Sequence, residues 1–139
     1  MCGIVAYIGT RPARPLLIGG LRRLVCRGYD SAGVAVLDPS TKPAKIQLAK
    51  AVGRVGNLEE RLEGTTWQGT VGIAHTRWAS HGGVTETNAH PHTDDHAGIA
   101  LIHNGIIENY SVLRKYLEQK GHTFVSETDT EVLTMLIGE

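Results

Sequence analysis

The chain has 139 residues, 41% of them apolar and 20% charged, with 14 basic and 14 acidic side chains and so a formal net charge of zero. That balance argues against nucleic acid or an anionic membrane surface as the main partner. Two cysteines, Cys2 and Cys26, make no disulfide framework; no apolar run approaches the ~18 residues of a membrane span; and the N-terminus lacks a signal-peptide pattern, so a cytoplasmic, reduced setting is expected.

Residues 2–9 read as a strand buried on both faces and ended by Gly9. Leu17, Leu21, Leu24 and Val25 then recur at i, i+4, i+7 and i+8, the stripe of an amphipathic helix. Arg22, Arg23 and Arg27 lie off that stripe, and Cys26 reads as a small core residue. The stretch 27–33 breaks the helix. Val34–Leu37 and Ile46–Ala51 read as a hairpin around the turn 38–41. Leu58 and Leu62 mark a short surface helix closed by Gly64. Thr70–Thr76 reads as a buried strand. Residues 77–98 form a long polar loop of the kind that often carries function. Ile99–His103 reads as a strand, and Tyr110, Leu113 and Leu117 as a helix capped by Gly121. A short strand is expected over His122–Val125. Thr128-Asp129-Thr130-Glu131 has the form of a capping box. Val132, Leu133, Leu136 and Ile137 follow as the core face of a last helix. No repeat or linker interrupts the chain, so one domain is expected.

Four positions could carry chemistry. Cys2 follows the initiator methionine, and a small second residue permits methionine removal. The exposed residue would then hold a thiol beside an α-amine. Such an amine ordinarily titrates near 7.7–8.0, against about 8.5 for a thiol, so it can take the thiol proton near neutrality. The plainer alternative is a cysteine that only packs. Arg77, just past a strand end, offers a planar fork for a carboxylate, or else a salt bridge. Asn104-Gly105 is a common turn pair, or two donors for a developing oxyanion. Asp129 at a helix start stabilises the dipole, or receives an ammonium. A rival site lies in 88–96, where His90, His92, Asp94 and His96 could ligate zinc. That run is one residue out of register with the His-x-His-x-Asp-His pattern of metallo-β-lactamase-like hydrolases, because Asp95 intervenes.

Taken in order, Cys2-Gly3-Ile4-Val5, Arg27-Gly28-Tyr29-Asp30-Ser31-Ala32-Gly33, His75-Thr76-Arg77-Trp78-Ala79, Asn88-Ala89-His90-Pro91-His92, His103-Asn104-Gly105-Ile106-Ile107-Glu108-Asn109 and Ser126-Glu127-Thr128-Asp129-Thr130-Glu131 resemble one family. It is the glutaminase (class II glutamine amidotransferase) domain of the glutamine–fructose-6-phosphate aminotransferases. The resemblance implies an α+β fold of the N-terminal nucleophile hydrolase type. That is a four-layer αββα sandwich of antiparallel sheets, with the C-terminal part of the domain and the sugar isomerase domains lying beyond residue 139.

The resemblance further implies that Cys2 attacks the side-chain amide of L-glutamine, with Asn104 and Gly105 as the oxyanion hole. Arg77 would hold the substrate α-carboxylate and Asp129 its α-amine. Trp78, Ser80 and His81 would belong to the loop that covers glutamine, and Arg27 would sit near the cysteine. No cofactor is implied. The implied partners are glutamine and a sugar-phosphate isomerase domain that takes ammonia to fructose 6-phosphate, in a homodimer of the full-length enzyme. Ser80 stands where the family often has Thr, Ala6 where it often has Gly and Cys26 where it often has Tyr. Two other readings stay open on sequence: a zinc hydrolase, and a glutamine-binding fragment without turnover.

Overall fold

The computed structural model describes residues 2–25, 29–79 and 82–139. Strand β1 (Gly3–Ile8) is followed by helix α1 (Ala13–Leu24), the hairpin β2 (Ser31–Asp38) and β3 (Lys45–Val52), helix α2 (Val55–Leu62) and strand β4 (Val71–Arg77). These strands make one antiparallel sheet in the order β1-β4-β2-β3. β4 is thus central, with Gly3 opposite Thr76 on one side and Ser31 opposite Arg77 on the other. Two-residue strands β5 (His92–Thr93) and β6 (Ala100–Leu101) pair as a second sheet, and helices α3 (Tyr110–Gln119) and α4 (Asp129–Gly138) complete the chain.

α1 and α2 cover one face of the large sheet. Leu17, Leu21, Val34, Leu58 and Ala74 are fully buried between them. Each buried leucine contributes roughly 1.5–3 kcal/mol over an exposed one. The small sheet lies on the opposite face: Ala100 shares a cavity wall with Ala35, Leu37 and Ile73. α4 packs on the small sheet in turn. The order of layers is therefore helix, sheet, sheet, helix, as the sequence implied. Gly33 shows how closely the layers approach. A Cβ there would stand 2.0 Å from the His90 carbonyl oxygen, so only glycine lets the 88–92 segment cross this strand.

A smaller core joins α3 to α4 through Leu117, Val132 and Met135, with Leu113 and Phe124 packed against it. The Arg114 guanidinium stacks over Phe124, 4.7 Å from the ring centre. Thr128 caps α4 by accepting from the Glu131 N–H. Glu131 does not return to the Thr128 N–H as a capping box would. It accepts instead from the N–H groups of Val125 and Ser126, at 2.9 and 2.7 Å.

Several expectations are corrected. β1 is half-buried on alternate residues only, because its second face is left open: Ile4 and Ile8 are 46% and 81% exposed. The strand expected over 99–103 shrinks to Ala100–Leu101, and none forms over His122–Val125. The His122 imidazole there is held by carboxylates, Nδ1 by Asp95 and Nε2 by Glu139, each at 2.7 Å. Met135 takes the core place expected of Ile137, which is 55% exposed. Val25 is 37% exposed, beyond the end of α1. Gly64 and Gly121 end their helices with positive φ, +72° and +101°, as expected. Among the described residues no helix is long and apolar enough to cross a membrane.

Candidate active site

A single cleft is lined by Cys2, Arg77, Trp78, Asn104, Gly105 and Asp129, with His75, His90, His103, Thr128 and Thr130. Six residues singled out in the sequence thus come together there. Arg27, Ser80 and His81 lie outside the described residues.

Pairing of β1 with β4 brings Cys2 to the cleft. Cys2 is half-buried and its Sγ accepts the Trp78 N–H at 3.2 Å. The adjoining Gly3 N–H donates to Thr76 Oγ1 at 3.2 Å. The chain beyond β4 is held by Asp30. Its N–H donates to Arg77 O and its carboxylate accepts from Ala79 N–H, both at 2.7 Å. Arg77 itself is only 4% exposed. Its Nη1 donates to Gly83 O at 3.0 Å. Burial pulls its pKa down, and nearby Cys2, Asp30 and Glu127 oppose that. Such a guanidinium stays charged.

The opposite wall comes from the loop after β6 and the start of α4. Asp129, 5% exposed, accepts from the Ile107 N–H at 2.8 Å. That bond ties the Asn104–Gly105 loop to the helix N-terminus, where an anion is favoured. Trp78, 51% exposed, flanks the mouth. The cleft is shallow, with a free volume of about 40 Å³, and it opens to solvent.

Three histidines stand behind the cleft. The His75 ring stacks on His90 with centroids 4.7 Å apart, and His90 meets His92 edge-on at 4.8 Å. Burial pushes all three well down, to about 4, about 3 and about 2 in that order. They are neutral at physiological pH. His75 and Asp30 were not assigned roles from sequence. The motif containing His75 was visible, but its partners lie on other elements.

The zinc arrangement does not form. Asp94 Oδ1 is engaged by the N–H groups of Gly98 and Ile99, both at 2.8 Å. His92 Nε2 is bonded to Thr128 Oγ1 at 2.9 Å, and His96 is exposed away from it. Among the described residues no group of three or more His, Cys, Asp or Glu is placed to hold a metal ion. A larger groove of about 540 Å³ lies between α1 and α2. In it Arg22 pairs with Glu59 at 2.6 Å and Arg14 donates to Leu62 O and Thr65 O, and no cysteine or histidine lines it.

The family model for the glutamine amidotransferase domain matches residues 40–139. Over 139 residues the chain is 54% identical to the glutamine–fructose-6-phosphate aminotransferase [isomerizing] of Thermus thermophilus, covering 100% of this chain and 22% of that protein. The protein of the same name from Chlorobaculum tepidum is 58% identical over 140 residues, with 99% and 22% covered. The chain thus spans about a fifth of the length of the curated relatives it matches. Among solved structures, the glutamine phosphoribosylpyrophosphate amidotransferase of B. subtilis superposes with a TM-score of 0.78 at 28% identity, over 99% of this chain and 29% of that one. An allosteric regulatory enzyme of purine biosynthesis superposes with a TM-score of 0.80 at 29% identity, over the same shares of the two chains.

Proposed function

The chain belongs to the glutamine amidotransferase family, and on that premise we propose that it hydrolyses the side-chain amide of L-glutamine through Cys2. The released ammonia would pass to fructose 6-phosphate on a sugar isomerase domain of the whole protein, as the names of its relatives suggest. The observation that carries this reading is the convergence of a thiol, an arginine fork, an amide–glycine pair and a buried carboxylate on one cleft. An amino acid with an amide side chain asks for these four groups.

In the proposed reaction Met1 has been removed. The α-amine of Cys2 accepts the proton from Sγ, and the sulfur attacks the amide carbon of glutamine. The Trp78 N–H already directed at Sγ favours negative charge on the sulfur. The carbonyl oxygen becomes an oxyanion, received by Asn104 Nδ2 and the Gly105 N–H. The ammonium of Cys2 then returns its proton to the leaving nitrogen, the C–N bond breaks, and ammonia departs from a glutamyl thioester. Water attacks that thioester and gives a proton to the same amine, the C–Sγ bond breaks, the amine returns the proton to sulfur, and glutamate leaves. Arg77 holds the α-carboxylate and Asp129 the α-ammonium throughout. A glutaminase domain over residues 1–139 and homodimer formation by the whole protein belong to the same proposal.

The test is a glutaminase assay on the full chain with Cys2 at its N-terminus. Glutamate and ammonia released in equal amounts are expected. A folded protein beginning with Cys2 that releases neither would overturn the reading.

A further inference from the structure

We infer that His75 is a positioning residue for this reaction, holding the Asn104 amide with its Nδ2 turned toward the substrate oxygen. The inference rests on the glutaminase reading above and adds a residue to it. His75 Nε2 lies 2.8 Å from Asn104 Oδ1. A carbonyl oxygen only accepts, so the imidazole donates and Nε2 carries its proton. This matters because Asn104 is exposed at the loop tip. A carboxamide turned over by half a revolution presents an oxygen in place of an NH₂. Aimed at a developing oxyanion, that oxygen repels where the NH₂ would stabilise. A donor fixed on Oδ1 selects the productive orientation.

The remaining facts about His75 agree. The ring is 1% exposed and unprotonated at neutral pH, chiefly through burial. Among the described residues its buried Nδ1 has no hydrogen-bond partner. With the proton on Nε2, Nδ1 is a lone pair and not a stranded N–H. His75 lies two residues before Arg77 on β4, so both side chains leave the same face of the sheet. The ring is backed by the His90 stack and, through it, by His92. His92 Nε2 is pinned to Thr128 Oγ1, and Thr128 caps the helix that begins with Asp129. One column of aromatic rings therefore joins the orientation of Asn104 to the start of α4.

The experiment compares kcat, KM and thermal midpoint for the full chain and for His75→Phe, His75→Ala, Asn104→Ala and the His75→Phe/Asn104→Ala double variant. Phenylalanine keeps the stack on His90 and removes only the donor, so it carries the test if His75→Ala fails to fold. His75→Phe is expected to lower kcat roughly 10- to 100-fold, with KM within about threefold and an unchanged midpoint, since one misdirected oxyanion donor is at stake. In the Asn104→Ala background the same change should cost almost nothing more, because the two residues act as a unit. Independent, multiplicative losses, or an active His75→Phe with unaltered kcat, would overturn the role of His75 and leave the glutaminase reading standing. No turnover by the unsubstituted chain would instead overturn that reading itself.

Discussion

Cys2 and Arg77 stand at the ends of paired strands, over a core of twelve buried apolar residues among those described, whereas Asn104, Gly105 and Asp129 are carried by a loop and a helix start over a core of three. The sheet side fixes the proposed nucleophile through ladder bonds on β1 and β4. The other side is held by a few discrete bonds, Ile107 N–H to Asp129 and His75 to Asn104 among them. In the proposed reaction, a nucleophile and the fork that orders its target demand a rigid mount. The groups that meet charge as it develops can sit on structure that yields when substrate enters.

Substitutions on the two walls should separate binding from chemistry. Arg77→Ala is expected to raise KM about 30-fold or more, because a desolvated charge partner of the substrate carboxylate is lost, a contact worth roughly 2–5 kcal/mol. Asn104→Ala is expected to lower kcat about 10²- to 10³-fold at nearly constant KM. Steady-state kinetics on both variants distinguishes the walls; the reverse split would exchange their roles.

The two cores can be compared in the same way. Leu58→Ala and Leu117→Ala each remove a fully buried leucine and should cost about 2–5 kcal/mol where they act. The first should lower the global urea midpoint. The second should mainly speed amide exchange in α3 and α4. Equal exchange throughout the chain in both variants would mean the halves do not differ.

Acid offers a third probe. Burial holds His75, His90 and His92 at about 4, about 3 and about 2, against about 6.5 in an unfolded chain. As pH falls below about 6.5 the unfolded chain takes these protons first, so stability declines from there and goes on declining until the folded chain takes up the last of them near pH 2. Glu139 and Asp95 raise His122 and work in the opposite direction, but that side chain is on the surface and its effect is small. Urea midpoints should fall across this window, and His90→Phe should flatten the fall. A midpoint independent of pH would contradict three neutral buried imidazoles. Thr128→Ala should cost about 1 kcal/mol from the lost cap of α4 and about 1–3 kcal/mol more from the buried His92 Nε2 that the same hydroxyl holds, read from the same urea midpoints.

What the sequence made legible was local. The stripes through Leu17 and Leu21 and through Leu113 and Leu117, the hairpin around 38–41 and the Thr128 cap all depend on neighbours a few residues away. Strands β5 and β6 escaped detection at their true extent because two residues carry no periodicity. The exposed face of β1 was missed because a strand's second face depends on which elements lie over it. The site residues were visible as motifs, yet their grouping depends on contacts such as Cys2 with Trp78, separated by 76 positions. His75 went unassigned for the same reason, its partner Asn104 lying 29 residues on. The zinc pattern was legible as spacing alone. It dissolves once Asp94 caps its own loop and His92 turns to Thr128.

The claim that matters most is that the terminal amine and thiol of Cys2 act together on glutamine. Peptide mass spectrometry of the full chain after exposure to a diazo-ketone analogue of glutamine reads it out directly. A single adduct on a peptide beginning with Cys2 is expected, prevented by excess glutamine and absent from Cys2→Ala. A folded protein with Cys2 at its N-terminus that stays unmodified, or that is labelled elsewhere, would contradict it.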